Sequence, residues 1–167
     1  EVDELGTVVE KDYTPYHIDQ VLALKLVNRD AIAQADLKIV VDAVNSVGGV
    51  VIPALLRALG VKEIIELNCE PTGHFAHNPE PIPENLTQIA AKMKESRADL
   101  GIVVDPDVDR LALISENGEM FGEEYTLVAV ADYVLKHTPG NTVSNLSSSR
   151  ALKDVTEAYG QQYHAAA

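Results

Sequence analysis

The sequence is organised around the stretch Leu100-Gly101-Ile102-Val103-Val104-Asp105-Pro106-Asp107-Val108-Asp109-Arg110. An apolar run ends there in three aspartates spaced two residues apart, and a second apolar run, 111–114, follows the arginine. This pattern predicts a strand, an acidic loop and a second strand. Ligands of open α/β sheets bind at the carboxyl ends of the strands, so the loop is a candidate functional site.

The three carboxylates of this loop are candidate metal ligands. Crowded like charges raise the pKa values of carboxyl groups and lower stability unless a cation lies between them. Oxygen ligands in a tight cluster suit Mg²⁺, which keeps positions open for water or a phosphate oxygen. We therefore expect Asp105, Asp107 and Asp109 to bind a metal ion, with Mg²⁺ as the cofactor.

Three other interpretations of the loop remain open. The first is a solvated acidic turn, which is disfavoured by the position of the loop directly after an apparently buried strand. The second is an EF-hand calcium loop: Asp105, Asp107, Asp109 and Glu116 take its positions one, three, five and twelve, but Arg110 stands where the sixth position needs glycine. The third is a phosphatase in which Asp105 is the nucleophile, since carboxylates do form phosphoryl intermediates.

The loop 105–110 resembles the metal loop of the α-D-phosphohexomutases, the family of phosphoglucomutase, phosphomannomutase and phosphoglucosamine mutase. Residues 41–49 resemble the strand and glycine turn that open the second domain of that family. Residues 71–81 resemble its Phe-x-x-His-x-Pro-x-Pro segment, and residues 118–127 resemble the stretch after the metal loop. These matches occur in the family's order and cover about residues 16–160, which corresponds to the second, metal-binding domain and the start of the third.

The resemblance implies a reaction for an intact parent protein. A phosphoserine passes its phosphoryl group to a hexose phosphate, and the resulting bisphosphate returns its other phosphate to the serine. Asp105, Asp107 and Asp109 would hold the Mg²⁺, and Arg110 would contact the phosphate or pair with the neighbouring aspartates. The parent would be an isomerase of the phosphomutase type.

The phosphoserine loop, the sugar-recognition loop and the fourth domain of the family have no match in this sequence. The resemblance therefore implies an inactive fragment whose partners are the missing domains of the same chain and a hexose phosphate substrate. Two hypotheses from other classes stay open: a standalone Mg²⁺-dependent phosphatase, and a non-catalytic binding domain.

Composition excludes several other classes of partner. A net charge of −13 argues against nucleic acid, whose phosphates would be repelled. No apolar run approaches the length of a membrane span, so no membrane partner is expected. Cys69 is the only cysteine, which excludes an internal disulfide and fits a reducing cytoplasmic location.

The predicted fold class is α/β: a mixed, mainly parallel sheet of four-stranded type with helices on both faces, ending in an antiparallel hairpin. Three regions are expected: a lead-in over 1–15 with a short strand at 7–9, a metal-binding domain over 16–138, and the truncated start of another domain over 139–167. Period and turn signals predict helices at 16–34, 49–59, 83–96, 123–137 and 150–159, and strands at 37–43, 62–67, 99–104, 110–115, 118–121 and 142–146.

Three further motifs receive structural interpretations. We expect His74 and His77 to form hydrogen bonds within a proline-rich loop and not to act in catalysis. Residues 122–124 resemble a sugar-recognition Gly-Glu-Glu but follow the hairpin, where acidic residues suit the first turn of a helix. The serines 147–149 are predicted to cap the last helix.

Overall fold

The computed structural model describes residues 6–166, apart from the side chain of Glu123. The helices are α1 (Thr14–Leu22), α2 (Arg29–Gln34), α3 (Gly48–Leu59), α4 (Thr87–Ser96), α5 (Glu123–His137) and α6 (Ala151–Ala158), with a 3₁₀ turn at Pro83–Asn85. The strands are β1 (Lys38–Asp42), β2 (Glu63–Leu67), β3 (Leu100–Val104), β4 (Leu111–Ser115), β5 (Thr142–Asn145) and β6 (Tyr163–Ala166). Within residues 6–166, every helix is too short or too polar to cross a bilayer.

The main sheet has the strand order β2-β1-β3-β4, in which β1 is parallel to both neighbours and β3 is antiparallel to β4. Alternate residues of β1 enter different cores, as the two-residue period of a strand requires. Val40 packs with Ile89 and Met93 of α4, whereas Ile39 and Val41 pack on the side of α3. Helices thus cover both faces of the sheet, which confirms the predicted fold class and explains the nearly continuous apolar run of β1.

The turn between β1 and α3 depends on a glycine. A Cβ atom added at Gly49 would collide with the main chain of Cys69, so a larger residue would force the backbone to shift. Helix α3 ends at Gly60, whose φ of 96° lies in the left-handed region that suits glycine at a helix end. The helix predicted over 49–59 is therefore confirmed, together with its stop signal.

The amino-terminal region corrects two predictions. The single helix predicted over 16–34 is two helices, because the side chain of Asn28 accepts a hydrogen bond from Ala31 N (3.0 Å) and starts α2 as a new helix. The strand predicted at 7–9 is wrong: residues 6–13 form no regular element, and Val8 and Val9 are exposed. Residues 1–5 of the predicted lead-in lie outside the described residues.

The hairpin after the acidic loop is closed by the predicted Asn-Gly turn. The Gly118 N–H donates to the Ser115 carbonyl and the Ser115 N–H donates to the Glu119 carbonyl, both at 2.8 Å. Gly118 has a φ of 80°, which explains the glycine. The returning strand, predicted at 118–121, is reduced to one bridge between Ile114 and Met120.

The carboxyl-terminal elements form a second, smaller sheet in which β5 and β6 are parallel and joined through α6. Strand β6 was not predicted. Of the serines predicted to cap α6, Ser149 accepts from Ala151 N at 3.2 Å, but the N-cap residue is Arg150, whose side chain makes no capping hydrogen bond. Helix α5 contacts both β4 and α6, and Glu124 Oε2 accepts from Ser149 N at 3.0 Å. The domain boundary at 138 remains a prediction.

Candidate metal centre

The acidic loop is anchored by its first aspartate. Asp105 follows β3 directly and is 1% exposed, and its Oδ1 accepts a hydrogen bond from Arg110 N at 3.1 Å. The main chains of Asp105 and Arg110 also pair, and the Val108 N–H donates to the Asp105 carbonyl at 3.2 Å. Hydrogen bonds between its first and last residues therefore close the loop 105–110, which stands at the carboxyl end of a buried strand.

The turn after β1 supports the loop from below. Ser46 Oγ donates a hydrogen bond of 2.6 Å to the Pro106 carbonyl. Val108 has a φ of 64°, a conformation that is strained for a β-branched residue and that persists only where the surroundings impose it. Its side chain lies over Gly48, where an added Cβ would be 3.4 Å from Val108 Cγ2. The Ser46 hydrogen bond and the packing of Val108 over Gly48 together fix the conformation of the loop.

The loop brings together the three carboxylates predicted to bind metal. One oxygen from each of Asp105, Asp107 and Asp109 can be chosen so that all three lie within 4.8 Å of one another. Asp105 is buried, whereas Asp107 and Asp109 are exposed and open to solvent. An all-oxygen donor set of this size fits a hard divalent cation such as Mg²⁺, which takes a few carboxylates and completes its shell with water or phosphate oxygens.

The electrostatics of the triad also fit a cation. Burial raises the pKa of the Asp105 carboxyl, but hydrogen bonds from the Arg110 main chain and from Asp109, and the charge of Arg110, outweigh burial and lower this pKa below its ordinary value. The pKa of Asp109 is raised by its hydrogen bond with Asp105 and by repulsion from Asp105 and Asp107. Like charge thus disfavours the fully ionised cluster, and a cation between the carboxylates would relieve this repulsion.

Arg110 lies beside the triad and contacts three carboxylates. Its Nη1 donates to Glu80 Oε1 at 2.6 Å, and its Nε lies 3.2 Å from Asp105 Oδ2 and 3.8 Å from Asp109 Oδ1. About half of the side chain, 53%, is exposed. The pairing with neighbouring aspartates proposed from the sequence is therefore present, and the guanidinium still faces solvent.

The fold disfavours two of the other interpretations of the loop. The EF-hand interpretation is wrong, because residues 111–115 leave as β4 of the sheet and do not wrap around an ion. Asp105 as a phosphatase nucleophile is disfavoured by its burial and by the bonds that Arg110 makes to both of its oxygens.

A second carboxylate, Asp42, was not identified from the sequence. It ends β1, is 0% exposed, and contacts His77 Nε2 through Oδ2 at 3.2 Å. The hydrogen bonding predicted for His77 is confirmed, whereas His74 contributes its carbonyl, which accepts from Asn45 Nδ2 at 3.1 Å. An aspartate that ends an apolar run was the available signal, the same one that pointed to Asp105.

Comparison with known proteins assigns this chain to a family. Residues 15–118 match the family model described as phosphoglucomutase/phosphomannomutase, alpha/beta/alpha domain II. The phosphomannomutase/phosphoglucomutase of Pseudomonas aeruginosa is 36% identical over 160 residues, which are 93% of this chain and 33% of that protein. The chain spans about a third of the length of the curated relatives it matches.

Solved structures agree with the sequence match. A phosphoglucomutase/phosphomannomutase family protein from Burkholderia thailandensis aligns with a TM-score of 0.76 and 29% identity, over 92% of this chain and 33% of that one. A structure from Thermus thermophilus shares the fold at a TM-score of 0.83 and 22% identity, over 93% of this chain and 36% of that one. The chain belongs to the phosphoglucomutase/phosphomannomutase family and carries its α/β/α domain II.

Proposed function

We propose that this chain supplies the metal-binding and phosphate-contacting part of a phosphohexomutase, an isomerase that moves a phosphoryl group between positions of a hexose phosphate. The observation that carries this proposal is the carboxylate triad at the end of β3, in a chain whose family is that of the phosphomutases. A triad left with excess negative charge needs a cation, and phosphoryl transfer is chemistry in which a divalent cation takes part.

The proposed roles follow from exposure and contacts. Asp107 and Asp109 present oxygens to solvent, while buried Asp105 anchors the loop and adds a third oxygen. Mg²⁺ bound there would supply Lewis-acid stabilisation and orientation to a phosphoryl group. Arg110 would contact the phosphate oxygens, because its planar fork of N–H donors matches them and its side chain is half exposed.

The remaining parts of the proposal concern the whole protein. Residues 16–138 would be the metal-binding domain and 139–167 the start of the next one. The phosphoserine and the sugar-recognition residues would come from other domains, and the chain alone would be inactive. A hexose phosphate is the proposed substrate, and the cytoplasm the proposed location.

A domain exchange tests this function. Residues 15–118 would replace the corresponding segment of the Pseudomonas aeruginosa relative, and conversion of hexose phosphates would be measured with Mg²⁺. We expect mutase activity in the folded chimera, and its loss in a chimera carrying Asp107→Asn and Asp109→Asn. An Asp19→Asn chimera, altered at an exposed position in α1, is the matched control. Full activity after removal of both loop carboxylates would contradict the proposal.

The phosphatase alternative is tested on the chain itself. Hydrolysis of p-nitrophenyl phosphate would be followed with Mg²⁺, and compared with an Asp105→Asn variant. The proposal expects no turnover in either protein. Turnover that disappears in the Asp105→Asn variant would favour the standalone phosphatase instead.

A further inference from the structure

The buried carboxylate Asp42 is surrounded by hydrogen-bond donors. Its Oδ1 accepts from Val44 N at 3.1 Å, and both of its oxygens lie 3.2 Å from Asn68 Nδ2. Its Oδ2 lies 3.2 Å from His77 Nε2, whose side chain is 15% exposed. Three donors on one buried carboxylate make a fixed point at the end of β1, because moving a donor would leave the buried carboxylate with fewer hydrogen bonds.

The ring of His77 joins this fixed point to the proline-rich segment. Its Nδ1 lies 2.7 Å from the Asn78 carbonyl, while Nε2 faces Asp42. Each ring nitrogen thus faces an oxygen, the Asn78 carbonyl on one side and the Asp42 carboxylate on the other. The imidazole bridges these two groups and fixes residue 78 relative to β1.

The same segment reaches the metal loop through Glu80. Asn78 Oδ1 accepts from the Glu80 N–H at 3.2 Å, and the Glu80 carbonyl accepts from Asn85 Nδ2 at 2.8 Å. Glu80 Oε1 in turn accepts from Arg110 Nη1 at 2.6 Å. A continuous series of hydrogen bonds therefore connects Asp42 with the guanidinium that lies beside the triad.

We propose that Asp42 and His77 are positioning residues for Arg110. They hold residues 77–80 so that Glu80 fixes the guanidinium beside Asp105, where it can meet an oxyanion at the metal loop. A long arginine side chain loses rotamer freedom when it binds, so fixing it beforehand lowers the cost of binding. The identity of the anion, a phosphate, rests on the proposed function; the hydrogen-bond series does not.

The test measures Arg110 directly in the ¹⁵N-labelled 167-residue chain. Hydrogen exchange of the Arg110 Nε–H would be compared between the wild type and His77→Phe, with His74→Phe, an exposed histidine three residues earlier, as the matched control. We expect exchange to become about tenfold faster in His77→Phe, the factor that corresponds to the net loss of one hydrogen bond to a charged group. The control should exchange as the wild type does.

A double-substitution cycle separates positioning from general loosening. Glu80→Gln removes the charge that holds Arg110 and should accelerate exchange by itself. Adding His77→Phe to Glu80→Gln should then change nothing further, since the two residues act in series. Effects that multiply, or an unchanged Arg110 signal in a His77→Phe chain with native backbone spectra, would overturn the proposal.

A second variant keeps the test decisive if His77→Phe fails to fold. Asn78→Ala removes only the side-chain cap on Glu80 N, so it should accelerate Arg110 exchange without unfolding the chain. An unchanged rate would overturn the proposal. Mn²⁺ binding to the wild type is measured separately: its absence would contradict the proposed function, whereas the Arg110 rates alone decide the positioning role.

Discussion

Two aspartates stand at the carboxyl ends of neighbouring parallel strands, and the groups that surround their carboxylates differ. Asp42 at the end of β1 is met by an amide N–H, an asparagine and a histidine. Asp105 after β3 is met by two further aspartates and by one arginine, which is shared with Glu80. The hydrogen-bonding needs of the Asp42 carboxylate are met inside the protein, whereas the three carboxylates after β3 crowd one another and two of them face solvent.

The surrounding groups therefore distinguish these two carboxylates better than burial does, because both Asp42 and Asp105 are buried. Burial of a charge requires compensation from some source. At the end of β1, hydrogen-bond donors of the fold itself surround the carboxylate. At the end of β3, the side chains of Asp107 and Asp109 are exposed, so a group from outside the chain can reach them.

The largest expected effect concerns Asp42 at the end of β1. Asp42→Ala leaves the donors of Asn68, His77 and the Val44 main chain without their acceptor, and we expect it to lower the free energy of unfolding by about 3 kcal/mol. Asp109→Ala should change it far less, because that site is exposed and crowded with like charge. Urea denaturation measures the free energy of unfolding of both variants. Equal destabilisation by the two substitutions would contradict the contrast between Asp42 and the acidic loop.

The next effect concerns the link between the two sites. Ser46→Ala removes the hydrogen bond from the β1–α3 turn to the Pro106 carbonyl, and should lower the free energy of unfolding by about 1 kcal/mol. It should also weaken Mn²⁺ binding, because the loop loses a support, while leaving the ring signals of His77 in place. Unaltered Mn²⁺ affinity would show that the loop holds its shape without the turn.

The pH dependence of metal binding gives a third test. Because the pKa of Asp109 is raised by Asp105 and Asp107, a proton competes with the metal, and Mn²⁺ affinity should fall as the pH is lowered from neutrality towards the raised value. In the metal-free chain the contribution of Asp109 to stability has the opposite sense: it is full below the unfolded pKa and lost as the pH rises through the folded one.

The lowered pKa of Asp105 makes the stability of the metal-free chain depend on pH in the direction opposite to that of Asp109. Its contribution to stability is present above the unfolded pKa and lost as the pH falls through the folded value. Titration of Mn²⁺ into the wild-type chain at several pH values measures the competition between the metal ion and the proton on Asp109. A wild-type affinity that does not vary with pH would contradict it.

The smallest expected effect concerns the thiol of Cys69, close to Asp42. Burial and the charges of Glu66 and Asp42 raise the pKa of this thiol to about 11. Alkylation by iodoacetamide should therefore be slow at about pH 8, and Asp42→Asn should lower the pKa of Cys69, because the charge of Asp42 is one of the causes that raise it. An alkylation profile that does not move in Asp42→Asn would contradict this contribution of Asp42.

The linkage of this thiol to stability has a definite sign. With a folded pKa of about 11 against 9.0 for a free thiol, the contribution of Cys69 is full below 9.0 and lost as the pH rises through 11. Stability at high pH should thus decline partly through this group, and Cys69→Ala should flatten that decline.

The sequence predicted those features that depend on neighbours along the chain. The apolar run before Asp105, the turn at Gly118 and the stop at Gly60 are local signals, and each lies where the structure has it. The split between α1 and α2 was missed because Asn28, the cap, lies within an apolar spacing that suits one continuous helix. Strand β6 was missed because its alanines favour no strand.

The candidate site was predictable only in part, for the same reason. Three aspartates within five residues are visible as a cluster in the sequence, whereas Asp42 and His77 are 35 positions apart and Glu80 is 30 from Arg110. Pairs of this kind are created by the parallel order of β1 and β3, which brings separate loops to one edge of the sheet. No period or spacing along a single sequence reports them.

The most direct test of the account is a Mn²⁺ titration of the 167-residue chain, followed by the electron paramagnetic resonance signal of the free ion. We expect one bound ion per chain, competed by Mg²⁺, and loss of that binding in Asp107→Asn/Asp109→Asn but not in Asp42→Asn. Binding that survives the loop substitutions, or no binding at millimolar Mn²⁺, would contradict the claim that the charge after β3 is left for a divalent cation.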